Sequence, residues 1–435
     1  MSFARYSVPE IEALWEEENL FSTWLKVELA FCEARFQFGE IPPEVWERIK
    51  NNASYGSAGE VKEIEAQTRH DLVAFLRAVE KRLGPDFRYF HEGLTSQDIK
   101  DTAFSLLLRD SGKIILKELE SLIGILGKQA LKFKGLPMVG RTHGIHAEPI
   151  TFGLKLLRFK KAFERQKENL ERSVSLVSVG KFSGPVGTFH GLNPEIARRA
   201  CQILGLKCLM VSSQIIPRDI YAQFFLSLAL ISSVVEEAAT EIRNLQRTEV
   251  GEVFEPFLPG QMGSSAMPHK RNPVLSEQLC GLSRVVRHNC VSVLENVPSW
   301  NERDISHSSV ERIVSPLSTN LSAYMLKTLS FILENLEVDS ERMEENLNFT
   351  SGLIFSQNLT LSLVRKGVPR EQASRLVQEL SFQALKMGSS LRAEAEKNQT
   401  ISSLLSPGEL DQVFDPRFFF ENIDRIFALE SEEPN

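Results

Sequence analysis

Ile220-Tyr221-Ala222-Gln223-Phe224-Phe225-Leu226-Ser227-Leu228-Ala229-Leu230-Ile231-Ser232-Ser233-Val234-Val235-Glu236-Glu237-Ala238-Ala239 constrains the architecture more than any other segment of the chain. Wound as a helix, it is apolar on nearly every face, and a helix apolar all round must be buried all round. The other periodic stretches are amphipathic. Pro9 through Phe38, for example, carries Ile11, Leu14, Trp15, Phe21, Trp24, Leu25, Val27, Leu29 and Ala30 at helical rather than strand spacing. One all-apolar helix among amphipathic ones predicts the centre of a large bundle, completed by other subunits.

Long helices are expected at roughly Ile150 to Ser178, Asp219 to Glu249, which contains this stretch, Ser276 to Val297 and Ser315 to Leu336. From about Asn346 the helical pieces shorten, as at Glu371 to Leu385 and Phe418 to Leu429. Strand signals are scarce, with no sustained alternation and no Asn-Gly or Asp-Gly hairpin between apolar runs. The reading is all-α in three helical domains: 1–95, a central long-helix bundle at 96–345, and a small C-terminal domain at 346–435.

Composition narrows the function classes. The chain has 435 residues, 42% apolar and 25% charged, which is ordinary globular usage. A net charge of -7 opposes a nucleic-acid binder, so any anionic ligand must be held by local clusters of Arg, Lys and His. Cys32, Cys201, Cys208, Cys280 and Cys290 are odd in number, scattered, and without metal-ligand spacing, the usage of reduced thiols. Met1 to Tyr6 has no signal-peptide pattern, and the run Phe224 to Val235 is shorter than the ~20 residues of a membrane span, so a cytoplasmic location and no membrane partner are expected.

Polar loops separate the helices and collect the reactive side chains, which is where catalysis resides on a rigid scaffold. Thr68-Arg69-His70-Asp71 has capping-box spacing and sets His70 at a helix start, where it serves an anion or is a plain surface histidine. His91-Glu92-Gly93-Leu94-Thr95-Ser96-Gln97-Asp98 offers hydroxyls that bind phosphate or simply cap the helix continuing through Ile99 to Leu108. Gly140-Arg141-Thr142-His143-Gly144-Ile145-His146-Ala147-Glu148-Pro149 brings two histidines three apart. That pair suits acid/base work better than metal, since no zinc-site pattern surrounds it. Ser183 to Thr188 is rich in chain breakers, and Glu302 to Arg312 concentrates arginines and serines. Gly260 to Pro273 cannot continue a helix or strand, and holds two hydroxyls, an imidazole, two cations and two amides between its glycines and prolines. No Walker loop, dinucleotide fingerprint or nucleophile elbow is present, which leaves acid/base chemistry on an anion with no cofactor.

Gly263-Ser264-Ser265-Ala266-Met267-Pro268-His269-Lys270-Arg271-Asn272-Pro273 resembles the signature loop of the fumarase/aspartase superfamily, Gly-Ser-Ser-x-Met-Pro-x-Lys-x-Asn-Pro. His269 and Arg271 resemble the branch acting on succinyl-purine nucleotides. Arg5-Tyr6, Thr68 to Asp71, Thr95-Ser96, Gly140 to His143, Ser183 to Gly187 and Glu302 to Ser308 extend the likeness along the chain; Glu92 before Gly93 is a modest departure. The resemblance implies a reversible β-elimination releasing fumarate from adenylosuccinate, giving AMP, and from the succinylcarboxamide ribotide of purine biosynthesis. It implies Ser264 as general base, His143 as general acid, His70 assisting it, Glu277 supporting it, and Lys270 with Asn272 on the succinyl carboxylates. Arg5, Tyr6, Arg69, Asp71, His91, Thr95, Ser96, Gln214, Ser265, Arg303, Ser308 and Arg312 are the implied ligands of the nucleotide. It further implies a homotetramer with sites shared between subunits. A superfamily lyase acting on argininosuccinate and a non-catalytic scaffold homologue are the alternatives.

Overall fold

The computed structural model describes residues 4–258, 260–263, 266–267 and 269–432. The chain forms two compact units. One holds Met1–Leu122, Phe163–Glu237 and Gln278–Leu329, the other Ile123–Ala162, Ala238–Glu277 and Ser330–Asn435. Helices dominate both, as the apolar periodicity requires.

The first unit begins with α1 (Pro9–Trp15), α2 (Glu17–Gln37), α3 (Pro43–Asn52), α4 (Ala58–Thr68) and α5 (Asp71–Leu83). The span from Pro9 to Phe38, read as helical from its spacing, forms two helices, because Glu16 leaves the helical region at ψ 144. Phe21, Trp24 and Phe75 pack with Ile49, Val61, Leu72 and Val79 into a core that the start of α6 (Ser96–Lys132) joins through Ile99, Ala103 and Leu106. The helix expected to run through Leu108 continues to Lys132, 37 residues in all. Three glycines hide that length in the sequence. Gly112 is there for space: a Cβ on it would lie 2.4 Å from Val174 and 3.0 Å from Phe224.

After α6 the chain makes β1 (Pro137–Thr142) and β2 (Ile145–Thr151), an antiparallel hairpin in the second unit. The polar loop at Gly140 to Pro149 is therefore mostly strand. His143 and Gly144, both at positive φ (55° and 78°), make its two-residue turn. Positive φ at both central positions is the twist that a tight hairpin needs, and His-Gly supplies it here in place of Asn-Gly. α7 (Phe152–Val177), β3 (Val179–Gly180), α8 (Pro194–Ile203) and β4 (Lys207–Cys208) follow, then α9 (Arg218–Leu245), the all-apolar stretch.

Phe224, Phe225, Leu228, Ile231, Val235 and Ala239 of α9 are buried, but Leu226 and Leu230 are 39% and 49% exposed. One chain does not bury this helix all round. By length and composition α9 could also cross a membrane, yet 56% of its apolar window is buried within the protein. β5 (Val253–Phe254), α10 (Val274–Leu294), α11 (Ser306–Glu334), β6 (Glu337–Val338) and α12 (Ser340–Asn348) come next. α11 starts nine residues before the expected Ser315, with Pro316 inside it rather than at its start. The shorter helices beyond enclose a small core of their own around Leu359, Leu363, Val377, Leu391 and Leu410.

Two buried ionic groups hold loops of the first unit against α6. Asp98 and Lys181, both with fully buried side chains, pair with each other. Asp98 also accepts the backbone N–H of Thr95, Ser183 and Gly184. Arg218 reaches both oxygens of Asp101, at 2.6 and 3.0 Å, and its Nε donates to Glu311 at 2.9 Å. A buried charge left without its partner is costly, so Lys181→Met is expected to destabilise the protein by about 3 kcal/mol or more. A denaturant midpoint that matches wild type would contradict that expectation.

Candidate functional site

In the first unit, α4 ends on Arg69 in the left-handed region (φ 57°), and His70, not Thr68, is the cap of α5. His70 Nδ1 accepts the Val73 N–H at 3.3 Å. In that role the neutral ring carries its proton on Nε2, and the ring is exposed. The capping box expected from Thr68 and Asp71 therefore does not form; an imidazole nitrogen replaces the hydroxyl.

Asp71 ties this helix start to α11. Its Oδ2 accepts from Lys100 at 2.7 Å and from Arg312 at 2.6 Å, and its Oδ1 from the Leu72 N–H. Burial pushes the carboxyl up, but Lys100, the Leu72 amide and Arg312 together hold it at about 2. Arg303 donates to Gln214 at 3.0 Å, while its buried Nε has no hydrogen-bond partner among the described residues. Gln214 is in turn fixed by its own Nε2 on the Pro185 carbonyl and its N–H on the Glu302 carbonyl. The structure thus brings together Asp71 with Arg312 and Gln214 with Arg303, pairs far apart in sequence. Thr95 and Ser96 open α6, Ser308 lies in the first turn of α11, and Arg5 is exposed. Tyr6 packs edge-on against Tyr324 with its carbonyl on Asn320.

His91 also sits at positive φ (55°), and its Nδ1 meets Glu28 at 2.6 Å. Burial alone would lower this imidazole, but the wholly buried Glu28 carboxylate raises it above the ordinary value. One of its ring nitrogens is thus committed to the protein. Sequence reasoning missed Lys100 and Arg218, which no loop motif contains, and passed over His307 and Glu311 within the Glu302 to Arg312 stretch, because local spacing does not show which partners they meet. Burial, together with Arg218, pushes His307 down to about 4, so it is neutral at physiological pH.

In the second unit, His143 stands exposed at the tip of the hairpin. Ser264 and Ser265 lie outside the described residues. Lys270 and His269 are exposed, and Asn272 turns its amide onto the Gly263 carbonyl at 3.1 Å, closing the loop on itself. Arg271 is engaged by the protein: it grips Glu337 at 2.8 and 2.6 Å and lies over the rings of Phe254 and Phe257. Glu255, buried, accepts the N–H of Leu275 and Ser276 and so caps α10 just past the loop. Glu277 is exposed in the first turn of α10. A cavity of about 430 Å³ beside Gly144 is lined by His146, Lys155, Glu241, Asn244 and Asn346, among others.

The family model described as Lyase matches residues 4–287, and that described as Adenylosuccinate lyase C-terminus matches 352–429. An adenylosuccinate lyase of Thermotoga maritima is 44% identical over 432 residues, 99% of each chain, and one of Streptococcus mutans is 45% identical over 97% of this chain and 98% of its own. The chain belongs to the adenylosuccinate lyase family. Among solved structures, a fumarate lyase of a Mesorhizobium species superposes with a TM-score of 0.88 at 26% identity, covering 97% of this chain and 98% of its own. A 3-carboxy-cis,cis-muconate lactonizing enzyme of Pseudomonas putida reaches the same score at 29% identity, covering 98% and 97%. These neighbours share one helical architecture with this chain.

The His91 and Glu28 pair sets a pH dependence. A histidine raised in the folded state stabilises fully below its unfolded value, about 6.5, and loses that contribution as pH rises through the folded value. The melting-temperature gap between wild type and His91→Asn is expected to be widest near pH 6 and to narrow above pH 7. A gap independent of pH would refute this.

Proposed function

We propose that this chain is an enzyme that eliminates fumarate from adenylosuccinate to leave AMP, and from the succinylcarboxamide ribotide of purine biosynthesis to leave its carboxamide. The observation that carries the reading is membership of the adenylosuccinate lyase family over nearly the whole chain, with the signature loop intact.

Removing the proton beside a carboxylate builds a carbanion whose charge spreads into that carboxylate, so the site must supply cations and amides to it before the carbon–nitrogen bond breaks. Lys270 and Asn272 take that role. Ser264 is the base, acting as an alkoxide favoured by loop N–H groups and Lys270. His143 protonates the departing nitrogen, its exposure on a tight turn suiting it to reach a substrate, with Glu277 and His70 assisting. Asp71 anchors Arg312, and Gln214 anchors Arg303. In this reading those arginines, with Arg5, Tyr6, Arg69, His91, Thr95, Ser96, Ser265 and Ser308, hold the nucleotide and its phosphate, which offsets the net charge of -7. No cofactor takes part.

The division at 95/96 and 345/346 stays part of the reading, and the match of the C-terminus model from residue 352 supports a separate last domain. The reading includes a homotetramer in the cytoplasm, with sites assembled from several subunits and no nucleic acid or membrane as partner. Leu226 and Leu230, exposed on a helix whose Phe224, Phe225, Leu228, Ile231 and Val235 are buried, support the burial of α9 by other copies.

Purified protein given adenylosuccinate is expected to release fumarate and AMP. Cleavage of argininosuccinate instead would overturn the assignment, and AMP binding without fumarate release would mark a scaffold protein. Ser264→Ala and His143→Ala are each expected to lower kcat by roughly 10²- to 10⁴-fold while melting like wild type. Light scattering is expected to give four chains, and Leu230→Glu to give smaller species.

A further inference from the structure

The turn that carries His143 has almost no packing of its own. Thr142, His143, Gly144 and Ile145 are all exposed, Ile145 by 70%. Met138 and Val139 at the base of the hairpin are buried, Val139 among Leu347, Ile354 and Phe355, but that packing stops short of the tip, where a two-stranded ribbon left in water is marginal. This one is weakened further by a register shift between Val139 and Arg141, at Gly140, where a Cβ would lie 2.8 Å from the Glu148 carbonyl. A bulge re-aims the residues beyond it, so the direction of the tip depends on whatever fixes the strand just past that point.

That residue is Arg141, two before His143. Its NH1 and NH2 donate to the two oxygens of Glu252 at 2.9 and 2.6 Å. The Glu252 side chain is wholly buried and accepts a further bond from Asn346 at 2.8 Å. Its backbone is pinned as well: its N–H donates to the Leu245 carbonyl, and its own carbonyl accepts from the Asp339 N–H. The carboxylate is therefore fixed from the end of α9, from α12 and from the residue just after β6. A fork-to-fork pair of this kind sets an angle as well as a distance.

Glu252 also opens a six-residue segment that seats the root of the signature loop. Glu255 caps α10, and Phe254 and Phe257 flank Arg271, whose carbonyl is held by Gln246. We propose that Arg141 and Glu252 are positioning residues for proton transfer by His143, and that Glu252 to Phe257 is the common mount of the hairpin and the loop root. The inference rests on His143 as the general acid. Neither residue needs to touch substrate.

The test is steady-state kinetics of fumarate release by the full-length protein. Arg141→Ala is expected to lower kcat by roughly 10- to 100-fold, the scale of an ångström of misplacement, with KM nearly unchanged. Free guanidinium chloride at tens of millimolar is expected to restore most of that loss, and to do nothing for wild type or His143→Ala. A wild-type kcat, a change in KM alone, or a loss that guanidinium leaves untouched would overturn the proposal. Should Arg141→Ala fail to fold, Arg141→Lys keeps a charge on Glu252 but not the fork; it is expected to show an intermediate kcat, and a wild-type kcat there would overturn the proposal equally. Wild-type protein that releases no fumarate would instead refute the functional reading, before any variant is compared.

Discussion

Charges that lose their water must find one another, and in this protein that constraint decides which loops meet. Asp98 sits at the start of a 37-residue helix with its carboxylate fully buried. It is tolerable there only because Lys181 and three backbone amides converge on it. The same holds one turn along, where Asp101 and Glu311 share Arg218. Replacing such groups with apolar ones of equal volume costs little in principle, but removing one partner costs several kcal/mol. These pairs act as registration points that bring the segments around residues 95, 183, 214 and 303 into one unit.

In the proposed reading, that registration makes an anionic substrate compatible with an acidic chain. A net charge of -7 repels a nucleotide on average, yet the arginines that would meet it are held in place by short contacts to neighbours. Asp71 holds Arg312, and Gln214 holds Arg303. An arginine already fixed in place loses less freedom on binding than a free one. The second unit uses the same device: Glu252 holds Arg141 and Glu337 holds Arg271.

Much of the helical fold was legible because apolar spacing survives any tertiary context. What escaped did so for identifiable reasons. The hairpin at 137–151 was hidden because its turn is His143-Gly144 and its strands carry proline and a bulge. The full length of α6 was hidden by glycines, one of which owes its place to contacts with Val174 and Phe224. The start of α11 was displaced because Pro316 resembles a beginning. Among candidate site residues, the loop motifs held Asp71, Arg303 and Arg312, and the family resemblance alone pointed to Gln214. Local sequence was silent about Lys100, Arg218, Glu252 and Glu311, whose meaning lies in partners tens to hundreds of residues away.

The helical class, the family and the loops that carry reactive groups were thus readable from the chain alone, since each is written in local pattern: periodicity, chain breakers and an eleven-residue signature. Tertiary structure was needed to show that His143 rides on a hairpin turn at positive φ, that Arg271 is committed to Glu337, and that Arg141 is clamped to a buried Glu252. The physical reason is that a side chain's role depends on which oxygen or nitrogen meets it, and that is settled by packing between distant segments.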